Sequence, residues 1–164
     1  MLNKWMLAAC TLAAFVMMSF SSSYHVKKSE HLASYEDFQA VTKITWTQLG
    51  KIDFVKKKDK VYGEVMYPII HPDLKKLNGK KISAKGFIVP IDNKSYALSK
   101  NVFAQCFFCG NAGPETIMGI HFKGATPKLK TDTYVTIEGT FRYNDSNVDD
   151  WIYHIDNAVI TEKK

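Results

Sequence analysis

Apolar and polar positions alternate along most of the chain beyond Val61, and a period of two predicts strands rather than helices. Val61, Gly63, Val65, Tyr67 and Ile69 alternate with Tyr62, Glu64 and Met66. Ile82 to Ile91 is apolar on both sides around Gly86, the pattern of a strand covered on both faces and bent at its glycine. Tyr96 to Leu98 supplies a short partner, and Met118, Ile120 and Phe122 alternate with Ile117, Gly119 and His121. The clearest strand is Thr133 to Tyr143, with Val135, Ile137, Gly139, Phe141 and Tyr143 facing one way and Thr136, Glu138, Thr140 and Arg142 the other. Asn144-Asp145-Ser146-Asn147 then forms a turn cluster, with Asp149-Asp150 still in the turn, before a last strand from Trp151 to Ile160. Helical signals are short. Trp46 and Leu49 make one turn, and Pro72 opens a helix through Leu74 and Leu77 that Gly79 stops.

Five or six short strands, mid-strand glycines and one or two short helices predict a mainly β chain folded as a small, partly open OB-like β-barrel. Ile82–Ile91 and Thr133–Tyr143 are expected to be neighbours in it, with Gly86 and Gly139 at tight corners. The domain spans residues 46–164, and residues 24–45 read as a linker or short helix. Residues 1–23 read as a signal peptide: Lys4 precedes an uncharged apolar run from Trp5 to Phe20, followed by Ser21, Ser22 and Ser23. A membrane span needs about 20 apolar residues, and this run has 16. An exported chain, periplasmic or in the cell envelope, is the expectation. Leu7-Ala8-Ala9-Cys10 resembles a lipoprotein box set too early in the run, so membrane attachment is expected only if Cys10 is lipidated.

Charge narrows the partners. The full chain carries +6, and of its 22 basic residues only Arg142 is arginine. Base and phosphate readout favours the bidentate fork of arginine. The lysine runs at Lys56–Lys60, Lys75-Lys76 and Lys80-Lys81 therefore read as solvated faces, and no nucleic-acid partner is expected. Serine-nucleophile motifs, paired carboxylates in apolar settings and phosphate loops are missing from the sequence, so no catalytic residue is assigned.

The chemistry concentrates in "QCFFCGNAGPET", Gln105 to Thr116. Cys106 and Cys109 are the two cysteines beyond the leader, three positions apart and followed by Gly110, Gly113 and Pro114. A disulfide is permitted by the exported compartment, yet closing so short a loop stabilises by only about 2 kcal/mol. A redox dithiol usually lowers its thiol pKa at a helix N-terminus, and the glycines and proline argue against a helix here. A C-x-x-C-G turn aims both sulfurs at one spot, which suits a metal, but zinc takes four ligands. His121, on the strand leaving the loop, is the first candidate to join Cys106 and Cys109; His154, brought round by barrel closure, is the second. A lone histidine on a half-buried strand is nevertheless more often a packed residue than a ligand. Phe107, Phe108 and Glu115 form the expected recognition loop, with at least one phenylalanine partly exposed beside the sulfurs. With Phe103 and Trp151, Phe107 and Phe108 would make an exposed aromatic patch, although core packing is the default for such residues.

The order of Trp46-x-x-Leu49, "LNGKKISAKGFIVP" (Leu77 to Pro90), "CFFCGNAGPE" (Cys106 to Glu115) and "VTIEGTFRYND" (Val135 to Asp145) resembles a family of uncharacterised exported bacterial proteins with an OB-like domain and a cysteine loop. Similarity would cover residues 46–161. The resemblance implies an exported barrel with a special loop. Related members carry a Cys-x-His version, where this chain has Phe108, and some are linked to zinc-regulated transport. The leading expectation is a non-enzymatic domain that binds zinc through Cys106 and Cys109 and serves metal handling or an envelope complex, with an envelope protein or metal transporter as partner. A thiol–disulfide protein using the same pair, and an interaction module with a loop disulfide, are the alternatives.

Overall fold

The computed structural model describes residues 40–110 and 112–164. The expected signal peptide, and the expected linker apart from residues 40–45, lie outside the described residues. In chain order the elements are β1 (Thr42–Lys43), α1 (Trp46–Leu49), β2 (Ile52–Asp59), β3 (Gly63–Ile70), α2 (Pro72–Lys75), β4 (Lys81–Pro90), β5 (Tyr96–Ser99), β6 (Ile117–Phe122), β7 (Tyr134–Tyr143) and β8 (Tyr153–Lys163).

Five strands pair in the order β4-β5-β6-β8-β7, and β7 returns to pair with β4. The ring is a small OB-like barrel. All its pairings are antiparallel except that of β6 with β8. That parallel seam is the thinnest, since only Gly119 with His154, Ile120 with Ile155 and Phe122 with Ala158 are matched, across a register shift.

The interior follows the period-two pattern. Ile82, Ala84 and Ile88 of β4, Val135, Ile137 and Phe141 of β7, and Tyr153 and Ile155 of β8 are buried together. Gly86 and Gly139 stand where walls press close. A Cβ on Gly139 would lie 2.5 Å from Ile155 Cγ2 and 2.7 Å from the Asp156 carbonyl oxygen, and one on Gly86 would lie 2.5 Å from the Ser99 carbonyl oxygen. Gly86 immediately precedes Phe87, the residue shared by the two pairings of β4, because residues 81–87 pair with β7 and residues 87–90 with β5. The helix α1 is capped by Thr45, whose side chain accepts from the Gln48 amide, and it is locked to the barrel at both ends. Trp46 Nε1 donates to the Lys85 carbonyl at 2.8 Å, and the buried Tyr153 hydroxyl donates to the Leu49 carbonyl at 2.9 Å.

Several boundaries differ from the sequence reading, among them the last strand, expected over Trp151 to Ile160 and found over Tyr153–Lys163. Residues 42–43, inside the expected linker, pair in parallel with Ile82 and Ser83, and the neighbouring Ile44 is buried. The strand expected from Val61 begins at Gly63, because Lys60 to Tyr62 form the turn of a hairpin, with the Asp59 carboxylate accepting from the Val61 and Tyr62 amides. Its partner β2 was not foreseen. It carries the Lys56 to Lys58 run, and the β2–β3 hairpin is a sheet of its own, so β2 has no continuous buried face to mark it. The helix α2 ends at Lys75, two residues short of Leu77, which still packs on the core.

Gly139→Ala forces a methyl against strand backbone that has little room to yield, and overpacking of this kind costs about 1–3 kcal/mol. We expect the upper part of that range in urea unfolding. Tyr153→Phe removes one buried hydrogen bond and is expected to cost about 1–2 kcal/mol. A Gly139→Ala protein with an unchanged urea midpoint would show that the corner is not tight.

Candidate functional site

Strand direction sets which loops meet. Because β6 and β8 run parallel and start side by side at Gly119 and His154, the connections entering them emerge from the same end of the barrel. These are residues 100–116, carrying the cysteines, and residues 144–152. The β2–β3 hairpin joins them there: the Tyr62 hydroxyl at its turn donates to Asp149 Oδ1 at 2.7 Å.

The cysteine loop is held at its base by the Lys100 amide bonded to the Thr116 carbonyl and by the Phe103 amide bonded to Asp132 Oδ1. Phe107 to Cys109 make a single 3-10 turn, in which the Cys109 amide bonds to the Cys106 carbonyl at 3.2 Å. Gly110 ends it in the left-handed region at φ 71°, where a side chain would be strained. Both cysteines are free. Cys106 is buried and Cys109 exposed, the latter donating its thiol to the Phe103 carbonyl at 3.3 Å. Partial desolvation, and then the adjacent Cys106, push the Cys109 thiol pKa up. This is not the lowered pKa of an activated thiol.

Beside the loop lies a largely apolar groove of about 320 Å³. One wall is Val65 to Pro68 of β3, with Phe54 behind; the other is the 144–152 connection; Phe107 and Pro114 close the end nearest the thiols. Phe107 packs edge-on against Trp151, with ring centroids 6.4 Å apart. The charged side chains that line the groove are both carboxylates, Asp149 and Asp150.

The outer wall of the barrel at the β6–β8 seam carries a second cluster. His121 of β6 and His154 of β8 stack with ring centroids 5.4 Å apart and planes within 12°. His121 Nδ1 is 2.6 Å from Asp156 Oδ1, and Arg142 Nε donates to Asp156 Oδ2 at 2.9 Å. His154 Nε2 faces two acceptors, the Trp151 carbonyl at 3.0 Å and Asp150 Oδ2 at 3.2 Å. Nε2 must therefore carry the proton, leaving Nδ1 with a lone pair, and that buried Nδ1 has no hydrogen-bond partner. It lies over Gly119, as does Trp151: a Cβ there would be 3.0 Å from each.

The expected site residues are thus distributed over two places. Cys106, Cys109 and Phe107 share the loop, with Phe107 half-buried and Cys109 open to solvent; the side chain of Phe108 lies outside what the structure describes. Glu115 is half-buried and folds its carboxylate back over Gly113, close enough to Tyr153 to help burial raise that phenol's pKa. His121 and His154 do come together through barrel closure. Among the described residues, however, no group of three or more His, Cys, Asp or Glu side chains is arranged to hold a metal ion. Arg142, Asp156 and the groove itself were not singled out from the sequence. The first two look like ordinary outward residues of alternating strands, and the groove is built by segments about 80 residues apart.

Fold and site together define a small OB-like barrel that carries a free thiol pair and an apolar groove at one end. No family model and no curated protein matches the chain. The solved structure of a DUF3299 family protein from Pseudomonas aeruginosa PAO1 is similar over 76% of this chain and 99% of that one, with 13% sequence identity and a TM-score of 0.48. No residue's role is carried across at that distance.

The histidine cluster makes stability depend on pH. Burial, and then the nearby Arg142 charge, lower the His154 pKa from its ordinary 6.5, with Asp150 opposing and His121 adding to the depression. A histidine depressed in the folded state is protonated first in the unfolded state. Its stabilising contribution is therefore complete above about pH 6.5 and is lost as pH falls below that value, by at most about 1.4 kcal/mol per pH unit. Asp156 titrates lower still: although burial works to raise its pKa, Arg142 and His121 hold it below 3.8. Urea unfolding between pH 7.5 and about 4.5 is expected to show the His154 slope, and His154→Gln to flatten it. An equal slope in both proteins would place the titrating group elsewhere.

Proposed function

We propose that the chain is an exported, non-enzymatic OB-like binding domain that takes a transition metal, zinc, through Cys106 and Cys109. The observation that supports it is the free, adjacent thiol pair with Cys109 open at the surface. Two thiols supply half of a tetrahedral zinc shell. With no third ligand beside them among the described residues, water or a partner would complete it. An open half-shell suits handing a metal on, or sharing it with an envelope protein or metal transporter, better than a closed structural centre.

A thiol–disulfide protein using the same pair is the second reading, favoured by the apolar groove next to the exposed sulfur. The raised pKa of Cys109 weighs against it, since little thiolate is present near neutral pH.

Zinc binding displaces the thiol protons, so affinity is expected to rise with pH across the neutral range. The reduced chain from residue 24 onward, titrated with zinc against a competing chelator, should bind about one zinc per molecule. The Cys109→Ser variant, altered at the exposed thiol, should bind zinc far more weakly while unfolding at the same urea midpoint, and the Cys106→Ser, Cys109→Ser double variant should bind none. Failure to bind zinc, together with ready oxidation and re-reduction of the pair in glutathione buffers, would replace this reading with the redox one.

A further inference from the structure

The groove is bordered by a strand edge. Four consecutive residues of β3, Val65 to Pro68, line it; a strand presenting one face would contribute only every second residue. That edge is open, for β3 pairs with β2 alone among the described residues. The way its main-chain groups point follows from Pro68. Proline has no N–H to exchange with Phe54 opposite, so this pair is of the kind whose main-chain groups face away from the partner strand. By the period of two, the N–H and C=O of Met66 face the same way, out along the free edge, and Met66 itself is 52% exposed.

An open edge with unpaired N–H and C=O groups is a template for one more strand. Whatever lies along it must be extended, must offer apolar side chains to Phe107, Pro114 and Trp151, and meets carboxylates as the charged groups at the wall. In a chain of net charge +6, a groove whose charged lining is Asp149 and Asp150 is a local reversal of sign; Arg142 Nη1, 3.6 Å from Asp150 Oδ2, offsets part of it, which leaves Asp149, bonded to the neutral Tyr62 hydroxyl, as the exposed negative charge. Of the hairpin lysines, Lys56 is paired with Glu64, while Lys57 lies over the Tyr67 ring and keeps its charge.

We propose that this edge and groove bind an extended segment of a partner protein by strand addition to β3, the segment carrying apolar side chains at alternate positions and a lysine or arginine toward Asp149. The proposal goes beyond metal binding and does not depend on it, because the groove is complete without the sulfurs.

The test is selection of random dodecapeptides displayed on phage against the reduced chain from residue 24 onward, followed by synthesis of the selected peptides. Enriched peptides are expected to alternate apolar residues and to carry a basic residue. Methylating their alternate backbone nitrogens on one edge should weaken binding about tenfold or more, and on the other edge should not. Amide shifts on binding should centre on Met66 and residues 144–152. Met66→Pro, which removes the outward N–H at an edge position that tolerates proline, should abolish binding. Asp149→Asn, which keeps an acceptor for Tyr62 but not the charge, should weaken it severalfold and remove its salt dependence. Should Met66→Pro fail to fold, the N-methyl peptides decide alone. Enrichment no greater than on an unrelated protein, an acidic consensus, or binding indifferent to N-methylation would each overturn the proposal. So would a concentration-dependent dimer mapped to the same amides, which would make the occupant a second copy of this chain. The Cys106→Ser, Cys109→Ser variant is expected to bind the peptides unchanged, which keeps this outcome separate from that of the metal.

Discussion

Everything at the functional end depends on one pairing, that of β4 with β7. Seven residue pairs, from Lys81 with Thr140 to Phe87 with Tyr134, join the two ends of what would otherwise be an open sheet. Closure has a geometric cost, because β4 must carry β7 on one edge as far as Phe87 and β5 on the other from Phe87 onward. Gly86 lets the end of β5 approach closely at that hand-over, and Gly139 lets β8 press against β7. Once the ring is closed, the strands fix the rest. The parallel β6–β8 seam puts the cysteine loop and the 144–152 connection at the same end, and α1 is pinned by Trp46 and Tyr153 in a way that also supports the base of the cysteine loop.

Aromatic packing joins the two parts of the site. Trp151 belongs to both clusters: Phe107 of the cysteine loop packs on it from one side, and on the other it lies over Gly119 next to His154. The histidines are thereby drawn into a network with Asp156, Arg142 and Asp150 on the outer wall, while the thiols stay with the loop. The two sets of metal-ligating residue types are neighbours through Trp151 without sharing one centre. The same tryptophan lines the groove.

The β-barrel was legible because β4, β6, β7 and β8 bury one side or both, and burial writes itself into the period of two. Gly86 and Gly139 were legible for a related reason: glycine in the middle of an otherwise apolar run has few uses other than close approach. The strand β2 was not legible. Its residues 55–58 are exposed in the hairpin, so the run of lysines describes its solvation correctly and says nothing of its hydrogen bonds. The turn at Lys60 to Tyr62 was misread for a similar reason, since Val61 and Tyr62 are apolar yet 79% and 57% exposed, and exposure removes the link between apolarity and regular burial.

By itself the sequence determined the class of fold, the strands that form the barrel wall, the corners where only glycine fits, and a loop in which two cysteines lie three residues apart before a left-handed glycine. Those features are local, and each is dictated by the residue types within one element. Tertiary structure alone decided that His121 stacks on His154 rather than joining the cysteines, that Arg142 and Asp156 complete that pair, and that β3 turns its free edge to a groove with two carboxylates. Such features arise from segments far apart in the chain meeting across a closed sheet, and the periodicity of any one segment carries no record of which neighbour it will face.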